Sequence, residues 1–285
     1  MKKYLSLVKF SHTVFALPFA LIGFFLAVAA GYPFQWKLLL LVLACMVSAR
    51  NAAMAFNRWL DRDIDAQNPR TARREIPAGV IPSGRALMFV ILNGLAFITA
   101  TFFINRLCFF LAPVALAVVL GYSAAKRFTS LSHFILGLGL SLAPMGAYLA
   151  VSARFGLVPV ILSFVVLCWV SGFDIIYALQ DTEFDRLHHL FSIPAWLGNR
   201  NALVLSSAVH GLVIGLLVWL GVTEHSGLMY WIGALVFTSL LVYQHTLVKP
   251  GDLSKVNLAF FTLNGLASLL FAAFFLLDLW KQAAA

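Results

Sequence analysis

Charge is what this 285-residue sequence has least of. Asp, Glu, Lys and Arg make up 11% of it, where a soluble domain carries about a quarter, while apolar residues make up 62% and the mean hydropathy is +0.93. Those proportions exclude an ordinary water-soluble enzyme and a disordered chain. Cysteine numbers three, Cys45, Cys108 and Cys168, each inside an apolar run. That excludes a disulfide scaffold and leaves buried thiols. A glycine-rich phosphate loop of P-loop or dinucleotide-binding form is absent. The histidines lack metal-ligand spacing: His12, His133, His210 and His245 are scattered and His188-His189 stands apart, so they read as structural or surface residues.

What the sequence does have is long apolar runs, and a helix needs about 20 such residues to cross a bilayer. Nine spans are expected, at 12–30, 36–57, 85–104, 107–124, 131–152, 156–178, 201–221, 227–247 and 256–279. The fold class is an all-α membrane protein, a helical bundle forming one integral-membrane domain over 1–285. The first run follows Lys2, Lys3 and Lys9 and contains Ala27-Val28-Ala29, like a signal peptide. Its apolar stretch exceeds the roughly 7–15 residues of such a peptide, so it is expected to be a retained span.

A net charge of +9 raises nucleic acid as a partner. With the N-terminus inside, however, Lys2, Lys3, Lys9, Arg58, Arg62, Arg70, Arg73, Arg74, Arg85, Lys126, Arg127, Arg186, Arg200, Lys249 and Lys255 collect on the cytoplasmic side. Only Lys37, Arg106, Arg154 and Lys281 fall opposite, and Arg50 lies inside the second span. The basicity is positive-inside topology, and nucleic acid is set aside.

Two inter-span segments, 58–84 and 179–200, are long and polar, and both fall on that face. They hold Asp61, Asp63, Asp65 and Glu75, then Asp181, Glu183 and Asp185, with Asp174 just before. Asn57, Asp61 and Asp65 are four apart, as are Tyr177, Asp181 and Asp185, so each set shares a helix face. A constant offset of 120 residues relates the sets, which reads as a parallel internal repeat with halves of roughly 1–125 and 126–285. Such a repeat turns two carboxylate faces toward each other across a central cavity. Carboxylates at the edge of hydrocarbon need cations, and Mg²⁺ takes one or two of them together with phosphate oxygens. Paired sites suit a diphosphate, and the neighbouring Arg70, Arg73, Arg74, Lys126 and Arg127 suit its remaining oxygens. A diphosphate held in the membrane implies a lipid tail; if the tail is isoprenoid, departure of diphosphate leaves an allylic cation and the reaction is prenyl transfer.

These residues resemble the UbiA superfamily of intramembrane prenyltransferases over nearly the whole chain. Asn57-Arg-Trp-Leu-Asp61-Arg-Asp-Ile-Asp65, followed by Arg70-Thr71, is similar to its first aspartate motif. Asp174-Ile-Ile-Tyr177-Ala-Leu-Gln-Asp181-Thr-Glu-Phe-Asp185 is similar to its second, and Tyr122-Ser-Ala-Ala-Lys126 to its Y-x3-K element. The resemblance implies nine helices around a central cavity and Mg²⁺ held with diphosphate by Asn57, Asp61, Asp65, Asp181 and Asp185. It also implies substrate contacts from Lys126 and Arg127, and Tyr122, Arg70 and Arg74 join the expected diphosphate set. Asp61, Asp181, Asp174 and Arg127 are the expected catalytic residues; Asp174, two turns deeper than Asp181, is expected to line the cavity and to position an acceptor hydroxyl or steady the basic residues.

The likeness is nearest to 4-hydroxybenzoate polyprenyltransferases of ubiquinone and menaquinone biosynthesis, which transfer from polyprenyl diphosphate to a hydroxylated aromatic acid. Asn57-Arg58-Trp59 and Arg74-Glu75-Ile76-Pro77 depart from their usual Asn-Asp-Tyr and Arg-Pro-Leu and resemble equally the branch that prenylates a naphthoate acid in the futalosine menaquinone route. The expected location is a bacterial inner (plasma) membrane with both segments facing the cytoplasm. A transporter also uses repeats and intramembrane charge. A CDP-alcohol phosphotransferase uses clustered aspartates, but its D-x2-D-G-x2-A-R pattern is missing.

Overall fold

The computed structural model describes residues 2–8 and 15–284. Lys9, His12 and the first residues of the expected 12–30 span lie outside them. Among the described residues there is no strand, only an isolated bridge between Lys249 and Asp252. In hydrocarbon no water is available to the backbone, so apolar runs this long satisfy their own N–H and C=O groups as helices.

The short α1 (Lys2–Leu7) precedes α2 (Leu17–Ala29), α3 (Trp36–Leu60), α4 (Arg62–Gln67), α5 (Ser83–Ile104), α6 (Arg106–Ala125), α7 (Ser132–Ser152) and α8 (Leu157–Ala178). A single 3-10 turn (Leu179–Asp181) leads into α9 (Thr182–Leu187), and then come α10 (Ile193–Thr223), α11 (Leu228–Leu247) and, after a π-helical turn (Leu258–Leu263), α12 (Asn264–Ala284). Among the described residues, eight helices are long and apolar enough to cross a membrane, with α8 and α9 counted as one. The expected first span gives only the 13-residue α2, because Pro18 opens it and Gly31, at φ +92°, follows its end.

The helices close a ring. α3 packs on α5 and α6, α6 on α7, α7 on α8, α8 on α10, α10 on α11 and α11 on α12, while α2 joins α12 back to α7 and α3. The α2–α7 contact needs Gly23, since a Cβ there would stand 2.0 Å from the Pro144 carbonyl oxygen. Large apolar side chains such as Phe110, Val114, Leu92 and Leu235 point outward, as a lipid-facing surface requires. Inside, Phe19, Trp169, Phe173, Phe237 and Phe271 interlock.

A closed circuit of hydrogen bonds crosses that apolar interior. Trp169 Nε1 donates to Asn264 Oδ1 at 2.7 Å, Asn264 Nδ2 to Gln244 Oε1 at 3.0 Å, Gln244 Nε2 to His210 Nδ1 at 3.1 Å, and His210 Nε2 to the Trp169 carbonyl at 3.1 Å. It ties α8, α12, α11 and α10 together, and every buried polar group in it is satisfied.

Two helix breaks set the site. α3 stops at Leu60 and restarts as α4 after Asp61, whose ψ of 8° is not helical; α8 stops before the 3-10 turn and restarts as α9 after Asp181, with ψ 5°. The residue ranges of α4 and α9 differ by the same 120 positions as the motifs.

Candidate active site

A cavity of about 720 Å³ occupies the ring at the end where α3 and α8 finish. Met54, Leu136, Leu140, Val170, Phe173 and Phe260 form its apolar part, and the aspartate segments its polar part. The 69–82 connection, held in turns by Pro69, Pro77 and Pro82, carries its arginines to the aspartates.

Those aspartates meet cations from distant parts of the chain. Arg70 Nε donates to Asp181 Oδ1 at 2.9 Å and its Nη2 bonds the other carboxylate oxygen, while Asn68 Nδ2 adds a third bond at 3.0 Å. Arg70 Nη1 also donates to the Tyr177 hydroxyl at 2.9 Å. The first polar segment thus reaches the second across the cavity. Arg74 Nη1 donates to both oxygens of Asp65 at 2.7 and 2.8 Å. Arg127 bonds Asp61 at 3.1 Å and the Leu60 carbonyl at 2.8 Å, and Asn57 Nδ2 donates to Asp61 at 3.1 Å. Lys126 stands within electrostatic reach of Asp185, Asp174, Asp181 and Asp61. Tyr122 and Arg73 line the cavity.

Burial raises the Asp61 carboxyl above its ordinary range, an effect the Arg127 hydrogen bond only partly offsets. For Arg70 and Lys126 burial acts against the charge, but the surrounding carboxylates outweigh it and hold both above their ordinary values.

Every residue expected at the site is in this cavity; their pairing is the new information. Among the described residues no three acidic, histidine or cysteine side chains converge as a metal cluster, because like charges stand apart and arginines neutralise three of the four motif aspartates. The donor set still fits a hard divalent cation. Every candidate ligand is an oxygen, and Asp185, 2% exposed on the cavity wall, has an Oδ2 atom with no hydrogen-bond partner.

Three participants go beyond the expected set. Arg50, one charge inside the second span, lines the cavity with a buried Nε that has no hydrogen-bond partner; its charge at that depth was the available signal. Asn68 joins Asp181. His133, read above as structural, is fully buried and bonds Asp174 through Nδ1 at 2.7 Å. Nothing local marks it, since the two residues are 41 positions apart.

Comparison with known proteins agrees with this geometry. The chain is 29% identical over 248 residues to a 4-hydroxybenzoate octaprenyltransferase of Tolumonas auensis, covering 87% of this chain and 86% of that protein. It is 31% identical over 247 residues to one of Aliivibrio fischeri, covering 86% and 85%. The structure of a UbiA homologue from Aeropyrum pernix superposes with a TM-score of 0.85 at 31% identity, covering 94% of this chain and 98% of that one. A homologue from Archaeoglobus fulgidus, bound to GPP and Mg²⁺, shares the fold with a TM-score of 0.77 at 19% identity, covering 98% and 99%. The profile of the UbiA prenyltransferase family matches residues 16–277. By sequence, fold and the content of its cavity, this integral-membrane enzyme belongs to the UbiA prenyltransferase family.

Proposed function

We propose that this prenyltransferase moves a polyprenyl group from polyprenyl diphosphate to a hydroxylated aromatic acid of the 4-hydroxybenzoate type, with Mg²⁺ as cofactor, in quinone biosynthesis. The observation that carries the reading is the graded cavity. Its polar end sets aspartates beside Arg70, Arg74, Lys126 and Arg127, its other walls are apolar, and two guanidiniums, Arg50 and Arg58, have a buried Nε still to be satisfied, Arg58 being paired with Glu75 at 3.8 Å.

Asn57, Asp61, Asp65, Asp181 and Asp185 would hold Mg²⁺, which when bound would neutralise diphosphate charge and ease its departure. Arg70, Lys126 and Arg127 bind the remaining phosphate oxygens and hold the leaving group as the C1–O bond breaks and its electron pair goes to diphosphate. The prenyl chain lies along the apolar wall, which excludes water from the allylic cation. A ring carbon of the acceptor then forms the new bond to C1, and transfer of the ring proton to the released diphosphate restores aromaticity. Asp174 accepts a hydrogen bond from the acceptor hydroxyl, making the ring more electron-rich.

An aromatic carboxylate in this low-dielectric cavity needs a fixed cation. Arg127 is a candidate, but it already bonds Asp61 and a backbone carbonyl and is more than a third exposed. Arg50 suits it better. A naphthoate acid presents the same acid and phenol, and the same cation would serve it. The likeness to the 4-hydroxybenzoate enzymes favours the smaller ring.

The test is transfer by purified protein with Mg²⁺, a polyprenyl diphosphate, both acids and their decarboxylated analogues. Chelation is expected to abolish transfer and Mg²⁺ to restore it. Arg50→Leu is expected to slow the acids more than the decarboxylated compounds, whereas Arg127→Ala slows both alike. Equal slowing of all acceptors by Arg50→Leu would remove the case for an acid.

A further inference from the structure

Asp174 lines the cavity without a bond to arginine or lysine; its bond is to His133. The imidazole is 0% exposed, lies at the start of α7, and uses both ring nitrogens. Nε2 faces the Ile193 backbone N–H at 3.3 Å. A backbone N–H only donates, so Nε2 carries no proton, the ring is neutral, and its proton is on Nδ1, donated to Asp174 Oδ2 at 2.7 Å. The partners alone fix the tautomer.

Ile193 is not an incidental partner. It opens α10, and the residue before it, Ser192, caps that helix by accepting from the Ala195 N–H at 3.3 Å while its hydroxyl bonds the Asp185 carboxylate. One helix start is therefore held from the diphosphate side through Ser192 and from the acceptor side through His133. Asp174 keeps its other carboxylate oxygen for the cavity that it lines.

We propose that His133 is a positioning residue for the transfer step: its Nδ1–H holds Asp174 Oδ2, so that the remaining carboxyl oxygen is presented to the acceptor hydroxyl. The inference rests on the prenyl-transfer reading and assigns His133 no contact with substrate. A protonated imidazole would lose the Ile193 bond, and the opposite tautomer would leave two acceptors facing each other in a buried site. Both are costly where no water intervenes.

Asparagine places an amide N–H near the position of Nδ1, and glutamine places its amide near that of Nε2. His133→Asn is thus expected to recover most of the transfer rate. His133→Leu and His133→Gln are expected to lower kcat by about tenfold to a hundredfold, the range seen when an orienting partner is removed. KM and binding of the prenyl diphosphate should hardly change in any of them. If glutamine rescued and asparagine did not, His133 would serve α10 rather than Asp174, and the proposal would fall. It would fall equally if a folded His133→Leu protein kept wild-type kcat.

A measurement independent of activity is the ¹⁵N spectrum of histidine-labelled protein in nanodiscs. His133 should show a protonated Nδ1 and a bare Nε2, with the Nδ1 resonance moving in Asp174→Asn. A protonated Nε2 would overturn the assignment. Absence of transfer from wild type with every acceptor would instead overturn the prenyl-transfer reading, leaving the tautomer to be decided by the spectrum.

Discussion

At the scale of single residues, the site is a set of charge pairings drawn from distant points of the chain. Asp61 and Asp181 lie at equivalent helix breaks, yet Asp61 takes Arg127 and Asn57 while Asp181 takes Arg70 and Asn68. Replacing either aspartate with asparagine keeps shape and removes the charge. Prenyl transfer is expected to fall by at least about two orders of magnitude, since metal and leaving-group stabilisation supply several kcal/mol. Full activity in a folded Asp61→Asn protein would sink the assignment.

Lys126 gives a pH prediction on stability. Burial alone would lower its pKa, but four carboxylates raise it above the ordinary value, so its folded-state pKa exceeds the unfolded one, about 10.4. The stabilisation it brings is complete below that unfolded value and is lost as pH rises through the raised one. In thermal melts in detergent, the Tm gap between wild type and Lys126→Met should hold steady from about pH 7 to 9 and narrow only above about 10.4. A gap that closed by neutral pH would show the amine uncharged there.

At the scale of elements, helix breaks carry the chemistry. α10 contains Gly198 at φ +78° and ψ 160°, backbone that only glycine adopts without strain. The break separates the turn bearing Ile193 from the long span. That turn is tied to α9, where Arg186 Nε donates to the Ala195 carbonyl at 2.9 Å. Just past the break, Thr182 Oγ1 bonds Asn199 at 2.9 Å. Gly198→Ala is expected to cost about 1–3 kcal/mol, lowering Tm by several degrees at this chain length, with transfer impaired as well. An unchanged melt would mean that the break is not strained.

The Trp169–Asn264–Gln244–His210 circuit acts on the same scale. Asn264 Nδ2 also bonds the Ala259 and Phe260 carbonyls of the π-helical turn, so Asn264→Leu leaves those carbonyls, Gln244 and the Trp169 indole short of partners. Each buried polar group left unmet costs about 1–3 kcal/mol, and this variant should melt well below Gln244→Ala, which leaves the Asn264 contacts to Trp169 and the turn in place. The reverse order would remove Asn264 as the centre of the circuit.

At the scale of the whole molecule, family membership removes the transporter alternative and leaves orientation as a proposal. On our proposal, the uneven division of Lys and Arg would place both aspartate segments in the cytoplasm. With the native cysteines replaced, Ser83→Cys should react with an impermeant maleimide from the cytoplasmic side and Phe155→Cys only from the other. Both residues border long apolar helices, and Phe155 is exposed. Labelling of both from one side would refute the topology.

The sequence by itself determined the class, eight of the apolar spans and the spacing of the carboxylates, because hydropathy and residue spacing are local properties, while the helix breaks at Asp61 and Asp181 came only with the structure. The same logic placed Asn57, Asp61 and Asp65 together, and Tyr177, Asp181 and Asp185. Only the tertiary structure decided that Arg70 takes Asp181, that Arg74 takes Asp65, that Arg50 keeps a buried unmet donor, and that His133 rather than a basic residue holds Asp174. These pairs are 9 to 111 positions apart, and which cation reaches which acid depends on how α2 closes the ring and how the 69–82 connection folds over the cavity. Periodicity along one helix carries no information about either.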